Sequence, residues 1–88
     1  MVNNRRSEFE IMSKLLDLSK SGAKKTELLY QANLSYTQLK SYLSFLIEKG
    51  IIVTIEVKNN GNNGVLYKLT DKGNNFLDDI NKTLDYIR

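Results

Sequence analysis

The hydrophobic period of this chain changes twice, and those changes restrict its fold more than any other feature. Up to Gly50 the apolar residues recur at helical spacing. From Ile51 to Val57 the chain is β-branched and alternates in its second half, and from Phe76 onward helical spacing returns. A switch from period 3.6 to period 2 and back, within 88 residues, requires a small β element set among helices. The length allows one domain and is too short for two.

Local signals place the boundaries. Ser7-Glu8-Phe9-Glu10 has the S-x-x-E form that satisfies free amides at a helix start. Phe9, Met12, Leu15, Leu16 and Leu18 follow as its apolar stripe, and Ser21-Gly22 supplies a left-handed stop, so the first helix is expected over 8–20. A shorter helix runs from Lys25 to Ala32 with Leu28 and Leu29 inward. Asn33-Leu34-Ser35 forms a tight turn, and Ser35-Tyr36-Thr37-Gln38 is a second capping box. The third helix runs to Lys49 on a stripe of Leu39, Leu43, Leu46 and Ile47, and Gly50 ends it.

Beyond Gly50, Ile51–Val57 and Val65–Leu69 read as two short strands, with Asn59–Gly64 as the turn, because Asn and Gly accept positive φ at low cost. Thr70 caps a last helix over 71–87, whose Gly73 allows close packing near its start. The expected fold is mainly α with a small antiparallel β-hairpin, in the order α-α-α-β-β-α. An isolated hairpin is marginal in water, so this one must lie against the helices as a wing.

Two helices joined by a turn of about three residues form a helix-turn-helix, whose second helix enters the major groove of DNA. The whole chain, 1–88, is therefore expected to be one winged helix-turn-helix domain. With Leu39, Leu43 and Leu46 turned inward, Tyr36, Thr37, Lys40, Ser41 and Ser44 face out. Small hydroxyl residues allow close approach to base edges, and Lys40 reaches a phosphate or a guanine. Tyr36 and Gln38 stand at the helix start, where recognition helices meet DNA, although the capping box competes for Gln38. Lys24, Lys25 and Thr26 open the second helix, where anions are favoured, and are candidate phosphate contacts. Arg5 and Arg6 precede the first helix and are basic residues able to follow a phosphate strand or a groove. Lys58 and the asparagines of the wing tip, residues 58–64, are candidates for the flanking backbone, and Lys68 is a stronger charge candidate than the tip. For each of these residues a merely solvated side chain is the competing reading.

The charge agrees mildly. The net charge is +3, and residues 1–50 hold eight Lys/Arg against five acids, while 51–88 hold five of each. The last helix carries Leu77, Ile80, Leu84 and Ile87, spaced three, four and three, widened by Phe76. This stripe either packs on its own domain or pairs two copies through the C-terminal helix, 71–88. The second is expected, because it continues to the penultimate residue. Asp78, Asp79 and Asp85 make part of that helix acidic and turn it away from DNA. Two-fold pairing would set two recognition helices one turn of duplex apart.

Two segments resemble the archaeal ArnR-like winged-helix domain. One is Asn33–Leu43 continued by Leu46-Ile47-Glu48-Lys49-Gly50-Ile51-Ile52. The other is the Y-x-L-T-x-x-G-x-x-F-L pattern of Tyr67–Leu77, and the leading helix with Gly22–Leu28 fits as well. The resemblance covers about residues 7–87. It implies a transcription-regulator or chromatin-associated role, with the recognition helix over 36–48.

Composition removes other classes. There is no cysteine and no histidine, so no disulfide framework, no thiolate metal site and no imidazole base. No phosphate-binding glycine loop and no carboxylate pair in apolar surroundings is present. An enzyme is therefore not expected, nor is a cofactor or a metal. No apolar run approaches the roughly 20 residues of a membrane span, and no signal-peptide stretch opens the chain. The expected location is the cytoplasm, on the nucleoid. The main rival is a protein-interaction module, for which Phe45 and Tyr42 would form the patch. An RNA-binding domain is a second rival, which would have to use the wing or the basic ends.

Overall fold

The computed structural model describes residues 7–59 and 61–87. Its elements are α1 (Glu8–Leu18), α2 (Lys25–Gln31), α3 (Tyr36–Glu48), β1 (Ile52–Asn59), β2 (Asn62–Leu69) and α4 (Asp71–Ile87). Four helices and one antiparallel hairpin thus appear in the expected order.

The helix ends are fixed by the residues that signalled them. Ser7 Oγ accepts from the Glu10 amide at 3.1 Å. Ser35 and Gln38 form a full capping box: the Gln38 amide donates to Ser35 Oγ at 3.2 Å, and the Ser35 amide to Gln38 Oε1 at 3.0 Å. α1 stops at Leu18, two residues earlier than expected. The Ser19 hydroxyl donates to Leu15 O, and the Ser19 carbonyl is taken by the amides of Gly22 and Leu69. Gly22 and Gly50 adopt φ of +96° and +72°, the left-handed stops that a side chain would strain.

One core is shared by all the helices and the base of the hairpin: Leu15, Leu16, Leu28, Leu39, Leu46 and Ile52 are its most enclosed members. Each such burial contributes about 1.5–3 kcal/mol. The stripes predicted for α1 and α3 are corrected at their edges. Phe9 and Ile47 are 44% and 40% exposed, while Ile11 is buried. At about 100° per residue, Phe9 and Ile47 fall on the margins of their helices' buried faces.

The hairpin is longer than its side chains implied. β1 and β2 pair from Ile52 with Leu69 out to Asn59 with Asn62, and Gly61, just before β2, has φ +82°. Asparagines that read as a loop are held in the ladder by backbone pairing, which is indifferent to their poor strand propensity. Ala23 exchanges two backbone bonds with Tyr67, at 3.0 and 2.8 Å, and so anchors β2 on the side away from β1.

α4 runs antiparallel to α1. The Leu69 amide, just before α4, bonds Ser19 O at the end of α1, and Ser13 Oγ meets Asn81 Oδ1 at 2.8 Å midway along the pair. This arrangement corrects the expectation for the α4 stripe. Leu77, Ile80 and Leu84 are only 2–3% exposed in the single chain. They are covered by their own domain and need no second copy, since α1 lies along that face. Phe76 is half-buried, and Ile87, at 63%, is exposed. Gly73 makes the approach possible: a Cβ there would collide with the Ile51 carbonyl oxygen and the Leu69 side chain. Thr70 closes the corner, accepting from the Gly73 amide at 3.0 Å and donating to Gly50 O at 2.6 Å.

Candidate nucleic-acid interface

The turn between α2 and α3 is set by local chemistry. Asn33 takes φ +54°, a conformation asparagine tolerates better than most residues. Leu34 is buried beneath the turn, and the Leu34 amide bonds Leu29 O at 3.1 Å. Glu27 closes the start of α2 by accepting from the Lys24 amide at 3.2 Å.

With Leu39, Leu43 and Leu46 locked inward, the outer surface of α3 divides into three strips. Thr37, Ser41 and Ser44 run along its centre and are all exposed. Tyr36 and Lys40 form one flank, one turn apart. There the Lys25 ammonium lies 5.1 Å from the centre of the Tyr36 ring, joining the start of α2 to the start of α3. The other flank carries Gln38, Tyr42 and Phe45. Together with Thr37, Ser41, and Glu8 and Met12 of α1, it lines a groove of about 490 Å³.

The structure therefore brings Lys25, Tyr36, Thr37, Lys40, Ser41 and Ser44 onto one continuous surface, with Lys24 and Thr26 exposed beside them. Gln38 differs: its side-chain oxygen is engaged in the capping box, accepting from the Ser35 amide. The wing lysines part company. In the β1–β2 register Lys58 shares a face with Ile52, Thr54 and Glu56, whereas Lys68 lies opposite Val53 on the other face. Arg5 and Arg6 lie outside the described residues.

Two features were not anticipated. The groove beside α3 depends on Met12 and Glu8, far from α3 in sequence, and only the presence of Phe45 and Tyr42 hinted at it. The hairpin face that carries Lys68 also holds Val53, Ile55 and Val57, each 37–45% exposed. Their alternation was visible, but not which side the core would take. Among the described residues no group of three or more His, Cys, Asp or Glu is placed to hold a metal ion, and no helix is long and apolar enough to cross a membrane.

Known proteins share this arrangement. A protein of Streptococcus mutans UA159, smu.1704, superposes with a TM-score of 0.85 at 18% identity, over 98% of this chain and 86% of that one. Sso10a-2, a DNA-binding protein from Sulfolobus solfataricus, gives 0.76 at 23% identity, over 92% of this chain and 81% of that one. At such identities the likeness is one of fold. In sequence, an uncharacterised protein of Methanocaldococcus jannaschii is 39% identical over 49 residues, 54% of this chain and 50% of that protein. The matched stretch thus spans about half the length of that curated relative. A winged helix-turn-helix family model matches residues 5–87, nearly the whole chain and every element of the fold, and the chain belongs to that family.

Proposed function

We propose that this domain binds double-stranded DNA and acts as a transcriptional regulator or an architectural DNA-binding protein. In this reading α3 sits in the major groove and the wing rests on the flanking backbone. The observation that carries the proposal is the outer face of α3. Its centre is a strip of small hydroxyl side chains, Thr37, Ser41 and Ser44, with no bulky group to hold it off the base edges. Lys25, Tyr36 and Lys40 border it on the α2 side, a charged margin suited to phosphates. Lys24 and Thr26 at the start of α2, with Lys58 and Lys68 on the wing, extend that margin. Membership of the winged helix-turn-helix family, and the fold shared with a DNA-binding protein of Sulfolobus solfataricus, support the same reading. No catalytic step and no cofactor is invoked, and the place of action is the nucleoid in the cytoplasm.

The active form is proposed to be a homodimer paired through α4. Since Leu77, Ile80 and Leu84 are spent on the protomer's own core, the pairing surface would be Phe76, Tyr86 and Ile87, of which Tyr86 is 91% exposed.

The test is fluorescence anisotropy with labelled duplex of random sequence at two salt concentrations, with Lys40→Ala beside the parent. If four to six phosphates are met per dimer, log K falls against log salt with a slope of about −4 to −5, and the variant binds more weakly. No binding at low salt overturns the proposal. The apolar part of the groove, Met12, Tyr42 and Phe45, would then favour a protein-interaction module instead, testable by whether Phe45→Ala abolishes capture of a partner.

A further inference from the structure

We infer that Glu48 is a specificity-determining residue of the α3 surface. Its carboxylate penalises docking on duplex DNA in general and is accepted where a base presents an amino group, cytosine N4 above all. The inference rests on α3 being the DNA-facing helix.

The first observation is position. Thr37, Ser41, Ser44 and Glu48 are spaced four, three and four, and all are exposed. At helical spacing they form one line, so Glu48 continues the strip that would meet the base edges.

The second observation is independent of DNA. Glu48 is the last residue of α3, and the last turn holds no basic residue. The carbonyl end of a helix disfavours negative charge. Lys49, the next residue, has its ammonium 5.9 Å from the centre of the Phe45 ring, on a different flank, and makes no ion pair with Glu48. Among the described residues the ion pair is Lys20 with Asp17, at the far end of α1. An acid placed against the helix dipole and without an ion-pair partner among the described residues breaks a local rule, which is where a functional role is expected.

Geometry turns this into recognition. Thr37 and Glu48 are separated by about 16 Å along the axis at 1.5 Å per residue, and the major groove is about 12 Å wide. A helix that brings Thr37 and Ser41 to base edges therefore sets Glu48 at the groove wall or over a base farther along. Phosphate oxygens, purine N7, guanine O6 and thymine O4 are all acceptors and repel a carboxylate. Cytosine N4 is the matching donor, with adenine N6 its nearest substitute. A residue that weakens most complexes and spares a few sharpens selection by exclusion.

The experiment is a binding selection from a duplex pool with a randomised centre, run on the parent, Glu48→Gln and Glu48→Ala, with salt titrations on generic duplex. Both variants should bind generic duplex about two- to fivefold more tightly, the scale of one exposed charge interaction. Preference for cytosine at one position should fall by about tenfold, the scale of one good base contact, while the other positions keep their preferences. Thermal melts of both variants should match or exceed the parent's, so misfolding cannot imitate the result. Tighter binding with every preference intact would overturn the inference, because the carboxylate would then act on phosphates alone. Unchanged affinity and preference would overturn it too. Failure of the parent to bind any duplex at low salt is a separate outcome, visible without the variants, and would remove the DNA reading and this inference together.

Discussion

The Lys25 ammonium stands 5.1 Å from the centre of the Tyr36 ring, so the first residue of α2 meets the first residue of α3, with all of α2 and the turn between them in sequence. The contact holds a positive charge beside the exposed strip of α3, and it gives Tyr36, which is 57% exposed, a fixed neighbour in place of free rotation in solvent. Removing either partner should thus affect binding in different ways.

Lys25→Ala is expected to weaken binding to every duplex to a similar degree and to make the salt slope shallower by about 0.9 for each phosphate lost. Tyr36→Ala should weaken a selected site more than random duplex, with a smaller change in slope. Anisotropy titrations at three salt concentrations distinguish the two patterns. A uniform loss in both variants would place Tyr36 on the backbone.

Gly73→Ala should be among the most damaging single changes. The new methyl would meet the Ile51 carbonyl oxygen and the Leu69 side chain, and the backbone atom cannot give way without moving the β1 entry. Overpacking of this kind costs about 1–3 kcal/mol or more, a large share of the stability of a domain this small. Urea denaturation followed by circular dichroism measures it. A cost under half a kcal/mol would show that the corner relaxes.

The α4 stripe and the α4 tip should separate in a paired experiment. Leu84→Ala removes a side chain that is 2% exposed within one chain, so it should cost about 2–5 kcal/mol at any protein concentration. Tyr86→Ser with Ile87→Ser alters exposed groups and should leave the fold within about 0.5 kcal/mol while weakening dimer formation in sedimentation equilibrium. If the double variant leaves self-association unchanged, α4 is not the pairing surface.

Thr70→Ala should destabilise by about 1–2 kcal/mol, because Thr70 caps α4 through the Gly73 amide and ties it to Gly50 O. Thr70→Ser keeps the hydroxyl and should recover most of the loss in the same denaturation assay.

What was legible in the sequence is what neighbouring residues decide. The order of elements, the Ser35–Gln38 box, the stops at Gly22 and Gly50 and the cap at Thr70 all depend on groups a few positions apart, and their residue types announced them. The outward side of α3 was equally readable, because Leu39, Leu43 and Leu46 left only one face for Thr37, Ser41 and Ser44. The tertiary structure alone decided how each apolar stripe is covered. Leu77, Ile80 and Leu84 carry the same spacing whether they meet a second copy or their own α1, and it is the antiparallel docking of two helices joined by Ser13 and Asn81, 68 positions apart, that encloses them. The groove of Met12 and Phe45, the exposure of Phe9 and Ile47, and the faces taken by Lys58 and Lys68 follow from the same docking. Periodicity states that a face is apolar. Which partner covers it is a property of contacts between distant segments, which exist only once the chain has closed on itself.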